Sequence, residues 1–361
     1  MSLQSGNDPR PFDDALFIDR PNRFVVLAQH EGRTVRCHLP NPGRLSELLF
    51  PGVPLKISPR EGGATEATVQ AVESNGEFVP LHTSRANDAV ASLLANGAIQ
   101  PFVGWKVAGR EVRYGNSRFD FLLERNGVKT FLEVKCCSLF AGRGAYFPDA
   151  PSQRATKHLT ELAELIGGGT RAAVVVLAVS NRPEWFAPHW HTDPVFSQTL
   201  LSLRGVLPLY PVAAPWLQEL PSTCRPLPVP WNFLSKITSG TGGCLLTTFT
   251  LGETPCWAVQ FDTALDRLSG RWRRSGPPRP PSLPDGRPAK LRLETLRDSE
   301  LSARQVAETL APLSDRVEET PNGIVGTLRA PARWNRQFEE ALLSLQFGWH
   351  EEEIKSELGL K

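Results

Sequence analysis

The sequence predicts a multidomain protein of α+β and α/β class, in which a small β-barrel precedes an α/β domain and a C-terminal extension with helices. Three observations predict it. Short alternating apolar runs broken by turn residues fill the stretch from Leu16 to His82. Helix and strand patterns alternate from Ser84 to Tyr210, and beyond Pro211 the chain becomes rich in Pro, Gly and Trp. These shifts place the barrel at 1–83, the α/β domain at 84–215 and the extension at 216–361, with a Pro-rich linker over 275–288.

A chain of 361 residues exceeds the usual size of one domain, and 40% hydrophobic with 22% charged residues is an ordinary globular composition. The start, Met1 to Asp14, is polar, and no segment approaches a run of about 18 apolar residues. A cytoplasmic location without membrane contact is therefore expected. Six cysteines without a C-x-x-C pair read as reduced thiols and argue against structural zinc. The net charge of +2 does not by itself argue for nucleic acid. Any basic surface must be local, and Lys106, Arg110, Arg113, Arg118, Arg143, Arg154 and Lys157 are the candidates.

In the first unit, Phe24 to Ala28 and Thr34 to Cys37 read as strands on either side of Glu31-Gly32. Pro40-Asn41-Pro42-Gly43 is a turn cluster, and Arg44 to Phe50 fits one short helix. The preferred shape is an OB-like barrel. On it Arg20, Arg23 and Arg44 can line a binding face, and Phe24 is either a base-stacking residue or core.

The second unit opens with a helix from Ser84 to Asn96, its apolar face at Ala89, Val90, Leu93 and Leu94. Strands follow at Trp105 to Arg113, Arg118 to Leu123 and Val128 to Lys135. Ser152 can cap a helix whose Ala155, Leu159, Leu162, Ala163 and Ile166 recur at helical spacing, and Gly167-Gly168-Gly169 stops it. Ala172 to Val179 is a continuous apolar strand buried on both faces.

Asn126-Gly127 is a strong short hairpin signal, because both central positions of a type I′ turn need positive φ. With a two-residue loop, Arg125 pairs with Val128 and Asp120 falls opposite Glu133, with Cβ atoms about 4.5–5.5 Å apart. Lys135 shares their face, while Phe119, Phe121, Leu132 and Val134 alternate onto the other, toward a core. Opposed like charges need a compensator, and Mg²⁺ or Mn²⁺ held by the carboxylates of Asp120 and Glu133 is the natural one. Lys135 would then orient a water or neutralise charge on a scissile phosphate. The bland alternative is a solvated polar face on which Lys135 screens the acids. The surrounding order of helix, three strands, helix and strand is that of the PD-(D/E)XK nucleases, and the motif lies where that core carries its metal. Asp120, Glu133 and Lys135 are thus candidate catalytic residues of a PD-(D/E)XK nuclease-like domain for metal-dependent phosphodiester hydrolysis.

Asp149 reads either as a residue at the start of the capped helix or as a further acid near the metal. Arg154 and Lys157 share a helix face near the N-terminal end and, with Arg44 and Arg118, are candidate nucleic-acid contacts. His189-x-His191-x-Asp193 invites a metal reading, but a loop beside Pro188 and Pro194 needs no metal. Cys136-Cys137 lacks the charge relay of a nucleophile, so buried thiols are expected.

The combination of Asn41-Pro42-Gly43-Arg44, Ser117-Arg118-Phe119-Asp120-Phe121-Leu122-Leu123, Glu133-Val134-Lys135, Phe147-Pro148-Asp149-Ala150 and Arg154 to Leu159 resembles the sugar fermentation stimulation protein A (SfsA) family. The resemblance runs from about Phe12 to Tyr210. It implies an OB-like barrel joined to a PD-(D/E)XK nuclease-like domain, with DNA binding and a nuclease activity; RNA is a further expected partner. It also implies the family's link to regulation of sugar (maltose) metabolism, which no residue here carries. Metal positions carry over to Asp120 and Glu133, and the catalytic lysine to Lys135. The first helix of the family carries a glutamate facing the site, where alignment puts Ser92, with Asp88 a turn earlier. That departure supports a rival reading, a non-catalytic DNA-binding regulatory protein retaining the nuclease fold.

Residues after Trp216 match no recognised pattern. Helices are expected at Ala303 to Leu310, Asn335 to Leu345 and Glu351 to Leu358. Leu301 to Ala307 has the look of the first helix of a helix-turn-helix, though a helical bundle is the simpler arrangement. Oligomeric state is not legible.

Overall fold

Six strands open the fold: β1 (Asp13–Asn22), β2 (Val25–His30), β3 (Arg33–His38), β4 (Pro54–Pro59), β5 (Ala67–Ser74) and β6 (Glu77–Pro80). The computed structural model describes residues 12–45, 47–115, 117–238, 242–251, 254–261, 290–295, 303–320, 323–329 and 336–361. Alternation drives the barrel. Ala15 and Phe17 on β1 are buried between exposed Leu16 and Ile18, so each strand has one apolar face to cover. β2 pairs with β1 and β3, β4 with β1 and β5, and a parallel β3–β5 contact closes a five-stranded ring, with β6 added beside β5. This is an OB barrel.

The helix expected over Arg44 to Phe50 is not formed. Leu45 has φ +55°, and only single turns follow, the N–H groups of Leu48 and Leu49 both reaching the Leu45 carbonyl. A left-handed leucine cannot lie inside a right-handed helix.

The second unit contains α1 (Ala86–Ala95), β7 (Lys106–Tyr114), β8 (Ser117–Arg125), β9 (Val128–Cys137), β10 (Leu139–Ala141), β11 (Gly144–Phe147) and α2 (Gln153–Gly167). It continues with β12 (Arg171–Ala178), β13 (Trp185–Pro188), α3 (Pro194–Ser202), β14 (Leu209–Ala213) and β15 (Arg225–Pro226). The main sheet runs β15-β14-β12-β9-β8-β7. Its β7–β8–β9 part is antiparallel and its β9–β12–β14 part parallel, the mixed sheet of a PD-(D/E)XK nuclease-like domain. Ser152 caps α2 by accepting the Ala155 N–H at 3.1 Å, and the helix ends in the glycine run. Seven of the eight residues of β12 are buried, as a strand covered on both faces requires.

The extension departs from the helical bundle expected for it. Helices α4 (Trp231–Thr238), α5 (Ala303–Leu310), α6 (Arg336–Phe347) and α7 (Glu351–Leu358) are present. So are β16 (Gly242–Leu251), β17 (Thr254–Phe261), β18 (Lys290–Thr295), β19 (Ser314–Thr320) and β20 (Gly323–Leu328), in an antiparallel sheet of order β18-β16-β17-β20-β19. β16–β17 and β19–β20 are short hairpins, but the pairings that join them into one sheet, β18 with β16 and β20 with β17, span long sequence separations that local periodicity does not register. α5 packs on β17 and β20 around Trp257, Val306, Leu310, Ile324 and Phe338, so it is a sheet-covering helix and not the start of a helix-turn-helix. α4, α6 and α7 dock on the second unit, where Phe233, Phe347 and Ile354 join Tyr146, Trp185 and Trp190 in one core. The Pro-rich linker falls outside the described residues, and among those described no helix is long and apolar enough to cross a membrane.

The sheet of the extension yields one direct test. Gly326 stands opposite Trp257 in the β17–β20 register, and a Cβ there would overlap the Cε2 and Cζ2 atoms of the indole. Trp257 is fully buried and its Nε1 donates to Ser314 Oγ at 2.8 Å, so the ring cannot yield freely. Gly326→Ala is expected to cost about 1–3 kcal/mol by overpacking. A urea titration followed by tryptophan fluorescence checks this; an unchanged midpoint would contradict the packing described.

Candidate metal centre

The β8–β9 hairpin closes through Asn126 (φ +51°) and Gly127 (φ +78°), the type I′ geometry that only such residues adopt readily. Arg125 pairs with Val128, and the register continues to Phe121 opposite Leu132, one pair short of Asp120 and Glu133. There the regular ladder stops, and the Val134 N–H donates to Asp120 Oδ2 at 2.7 Å. Phe119, Phe121, Leu132 and Val134 are buried.

Each carboxylate is tied to a helix. Asp120 Oδ1 accepts from Asn87 Nδ2 on α1 at 2.8 Å. Glu133 Oε1 meets Lys135 Nζ and His158 Nδ1 on α2, each at 2.5 Å. Glu133 Oε2 is buried with no hydrogen-bond partner among the described residues. Burial pushes the Asp120 carboxyl above its usual range and the nearby Glu133 charge adds to this, outweighing the N–H donors. For Glu133, burial also raises the pKa, but the His158 hydrogen bond and the Lys135 ammonium prevail and hold it below the usual value.

Asn87 and His158 were missed from the sequence. His158 does leave a signal: it sits in the buried stripe of α2 with Ala155, Leu159 and Leu162, where a polar ring needs a partner. On α1 the residue that reaches Asp120 is Asn87 and not Ser92, which lies five positions on and therefore about 140° around the helix. Asp88 is drawn elsewhere, to Arg110 at 2.5 Å.

The remaining candidates divide. Arg118 is exposed and pairs with Glu111 at 2.7 Å; Arg154 is exposed; Lys157 is exposed, with Glu161 at 3.4 Å. Asp149 neither caps α2 nor joins the acidic pair. It is part-buried against the Asn41–Leu45 loop, taking hydrogen bonds from the backbone of Arg44 and Leu45, and desolvation raises its pKa despite them. Arg44, half-buried, lies beside Asp149, so it belongs to this junction and not to an open barrel face. Arg20 is corrected likewise: it is buried and donates to the carbonyls of Arg23, Asn41, Gly43 and Arg44. Phe24 is 42% exposed, with the Arg23 guanidinium 4.8 Å from its ring centre, and so is not core.

The His189–Asp193 loop spends its polar atoms structurally. His189 Nδ1 faces the Pro148 carbonyl at 3.1 Å, His191 Nε2 the Gln346 carbonyl at 2.9 Å, and Asp193 caps α3 through the Phe196 N–H. Cys136 and Cys137 are free thiols, and burial pushes Cys136 up to about 12 and Cys137 well above its usual value. They are inert as nucleophiles at neutral pH.

Among the described residues no group of three or more His, Cys, Asp or Glu side chains gathers as a metal site, so the chain offers two carboxylates at this centre. The oxygen donors and Glu133 Oε2, which has no hydrogen-bond partner among the described residues, fit a divalent cation that accepts few protein oxygens and keeps several waters.

Comparisons with known proteins place the chain in a family. Residues 18–81 match the family description "SfsA N-terminal OB domain" and residues 84–206 match "Sugar fermentation stimulation protein RE domain". A sugar fermentation stimulation protein homolog of Pyrobaculum arsenaticum is 42% identical over 195 residues, 54% of this chain and 82% of that protein. One from Moorella thermoacetica is 41% identical over 190 residues, 52% of this chain and 82% of the relative. The solved structure of Pyrococcus furiosus SfsA in complex with Ca²⁺ is similar at a TM-score of 0.56 and 28% identity, covering 63% of this chain and 97% of that one. The chain therefore belongs to the sugar fermentation stimulation protein family, carrying the family's OB barrel and nuclease-like domain ahead of an extension that lies outside both matches.

Proposed function

We propose that the protein binds nucleic acid, DNA first and RNA as an alternative, and hydrolyses its phosphodiester bonds at Asp120, Glu133 and Lys135 with Mg²⁺ or Mn²⁺. The observation that carries this reading is the buried Oε2 of Glu133, which has no hydrogen-bond partner among the described residues and lies on the same hairpin as Asp120, since a buried anionic oxygen left unpaired is costly unless a cation meets it. The Pyrococcus furiosus SfsA structure is a complex with Ca²⁺, which agrees with a divalent cation in this family. Asp120 and Glu133 would hold the cation, which when bound supplies Lewis-acid polarisation of a phosphate and a more acidic water. Lys135, 11% exposed, lies close enough to Glu133 to place its ammonium against a phosphate oxygen or to orient a water. Exposed Arg118, Arg154 and Lys157 would hold neighbouring phosphates, and the last two lie in the first turns of α2, where the helix dipole also favours anions.

One observation favours the second reading, a DNA-binding regulatory protein that retains the fold without catalysis: α1 presents the amide of Asn87 to Asp120, and no carboxylate. A single experiment separates them. Purified protein is incubated with single- and double-stranded DNA and RNA, with and without Mn²⁺ or Mg²⁺. Cation-dependent cleavage supports the first reading; salt-sensitive binding without cleavage supports the second. In either case Arg154→Ala with Lys157→Ala is expected to weaken binding across sequences and to lower the salt slope by about one per contact removed. Fluorescence anisotropy at several salt concentrations reads both effects, and an unchanged slope would remove these residues from the interface.

A further inference from the structure

Glu133 is held by one oxygen only. His158 Nδ1 and Lys135 Nζ both meet Oε1, each at 2.5 Å, while Oε2 stays buried and without a hydrogen-bond partner among the described residues. Two donors on one oxygen fix the rotation of the carboxylate, because turning it would break both contacts at once. They are unequal anchors. Lys135 ends a flexible four-carbon stem. His158 is 5% exposed, sits in the buried stripe of α2 and packs edge-on against Phe119 at 6.0 Å between ring centres. The imidazole is therefore the rigid partner.

We infer that His158 is a positioning residue that makes Glu133 a one-oxygen ligand, and that the centre consequently prefers Mg²⁺ or Mn²⁺ to Ca²⁺. This inference rests on the metal-centre reading above. Mg²⁺ takes single oxygens in a tight octahedron, whereas the larger Ca²⁺ accommodates six to eight oxygens and often takes both from one carboxylate. With Oε1 committed to His158 and Lys135, two-oxygen binding through Glu133 is blocked. Without the imidazole, the carboxylate turns more freely, so the small ion loses its oriented ligand and the large one gains access to both oxygens. Second-sphere partners of this kind characteristically change metal affinity tenfold to a hundredfold when removed.

The test measures Mn²⁺ and Ca²⁺ binding by titration calorimetry on the full chain, independently of any cleavage. His158→Leu removes the donor while keeping an apolar filler, and His158→Asn places an amide N–H where Nδ1 stands. The leucine variant is expected to lose roughly 10- to 100-fold in Mn²⁺ affinity and distinctly less for Ca²⁺. The asparagine variant is expected to stay within about threefold of the unaltered protein for both ions, a rescue that follows from the donor and not from ring packing. Where the leucine variant does not fold by circular dichroism, His158→Gln, whose amide reaches past the Nδ1 position, takes its place with a smaller drop in the same ratio. An unaltered Mn²⁺ to Ca²⁺ ratio in the folded donor-removed or donor-displaced variant overturns the inference. Glu133→Gln separates the two failures. If it abolishes Mn²⁺ binding while His158→Leu leaves the ratio intact, only the role of His158 falls. If Mn²⁺ binding survives Glu133→Gln, or is absent from the unaltered protein, the metal centre itself falls and this inference with it.

Discussion

Glu133→Gln is expected to lower cation-dependent cleavage by roughly 10²–10³-fold while leaving the fold intact. The substitution keeps the side chain's shape. A glutamine Oε1 still accepts from His158 and Lys135, so the contacts that anchor the residue survive in kind. The loss falls on the other side of the carboxylate. An amide nitrogen replaces the orphaned Oε2, turning an acceptor into a donor and removing the negative charge that would meet the cation. Asp120→Asn should act similarly, and the double variant should be little worse than either single one, because groups that act as a unit are not additive. Initial rates on labelled single-stranded DNA, double-stranded DNA and RNA read these effects. Cleavage by both single variants at the unaltered rate would mark a contaminant and remove the active-site assignment.

Arg20→Met is expected to destabilise the barrel by about 3 kcal/mol, since four buried or part-buried hydrogen bonds to backbone carbonyls are lost at once. Arg20 is 6% exposed, and its guanidinium donates to Arg44 at 2.5 Å, Gly43 at 2.8 Å, Arg23 at 2.9 Å and Asn41 at 3.2 Å. It thereby fastens two loops of the barrel together. The consequence reaches the second unit, because Gly43 lies against Asp149 so closely that a Cβ would overlap the carboxylate. Loosening the Asn41–Leu45 loop therefore loosens the contact between the barrel and the nuclease-like domain. Lysine should not rescue, as an ammonium cannot reproduce the planar fork of donors. Urea unfolding and limited proteolysis within the loop check the expectation. A variant with the original midpoint and protease resistance would show that these four carbonyls find other partners.

The two loci differ in how far sequence reasoning reached them. The barrel's strands followed from alternation, but the role of Arg20 did not, because a lone arginine on a polar strand looks like a surface charge until the loop it fills is known. Likewise Asp149 was legible as a residue at the start of the capped helix or as a further acid near the metal, whereas its carboxylate serves the Asn41–Leu45 loop. In the extension the three expected helices are present, but the sheet that α5 covers was not legible, since β18 joins β16 and β20 joins β17 from outside any local window.

By itself the sequence determined the hairpin, its Asn126-Gly127 turn, the register from Arg125 opposite Val128 and the face shared by Asp120, Glu133 and Lys135. Those properties depend on positive φ at two positions and on a period of two residues, both of which are local. Only the tertiary structure decided how the two carboxylates are held. His158 and Asn87 reach them across 25 and 33 residues of chain, from helices whose placement follows from packing on the sheet. Burial there raises the Asp120 pKa, the His158 and Lys135 contacts lower that of Glu133, and one glutamate oxygen has no hydrogen-bond partner among the described residues. Desolvation and hydrogen-bond satisfaction are properties of assembled surroundings, so no window of sequence contains them.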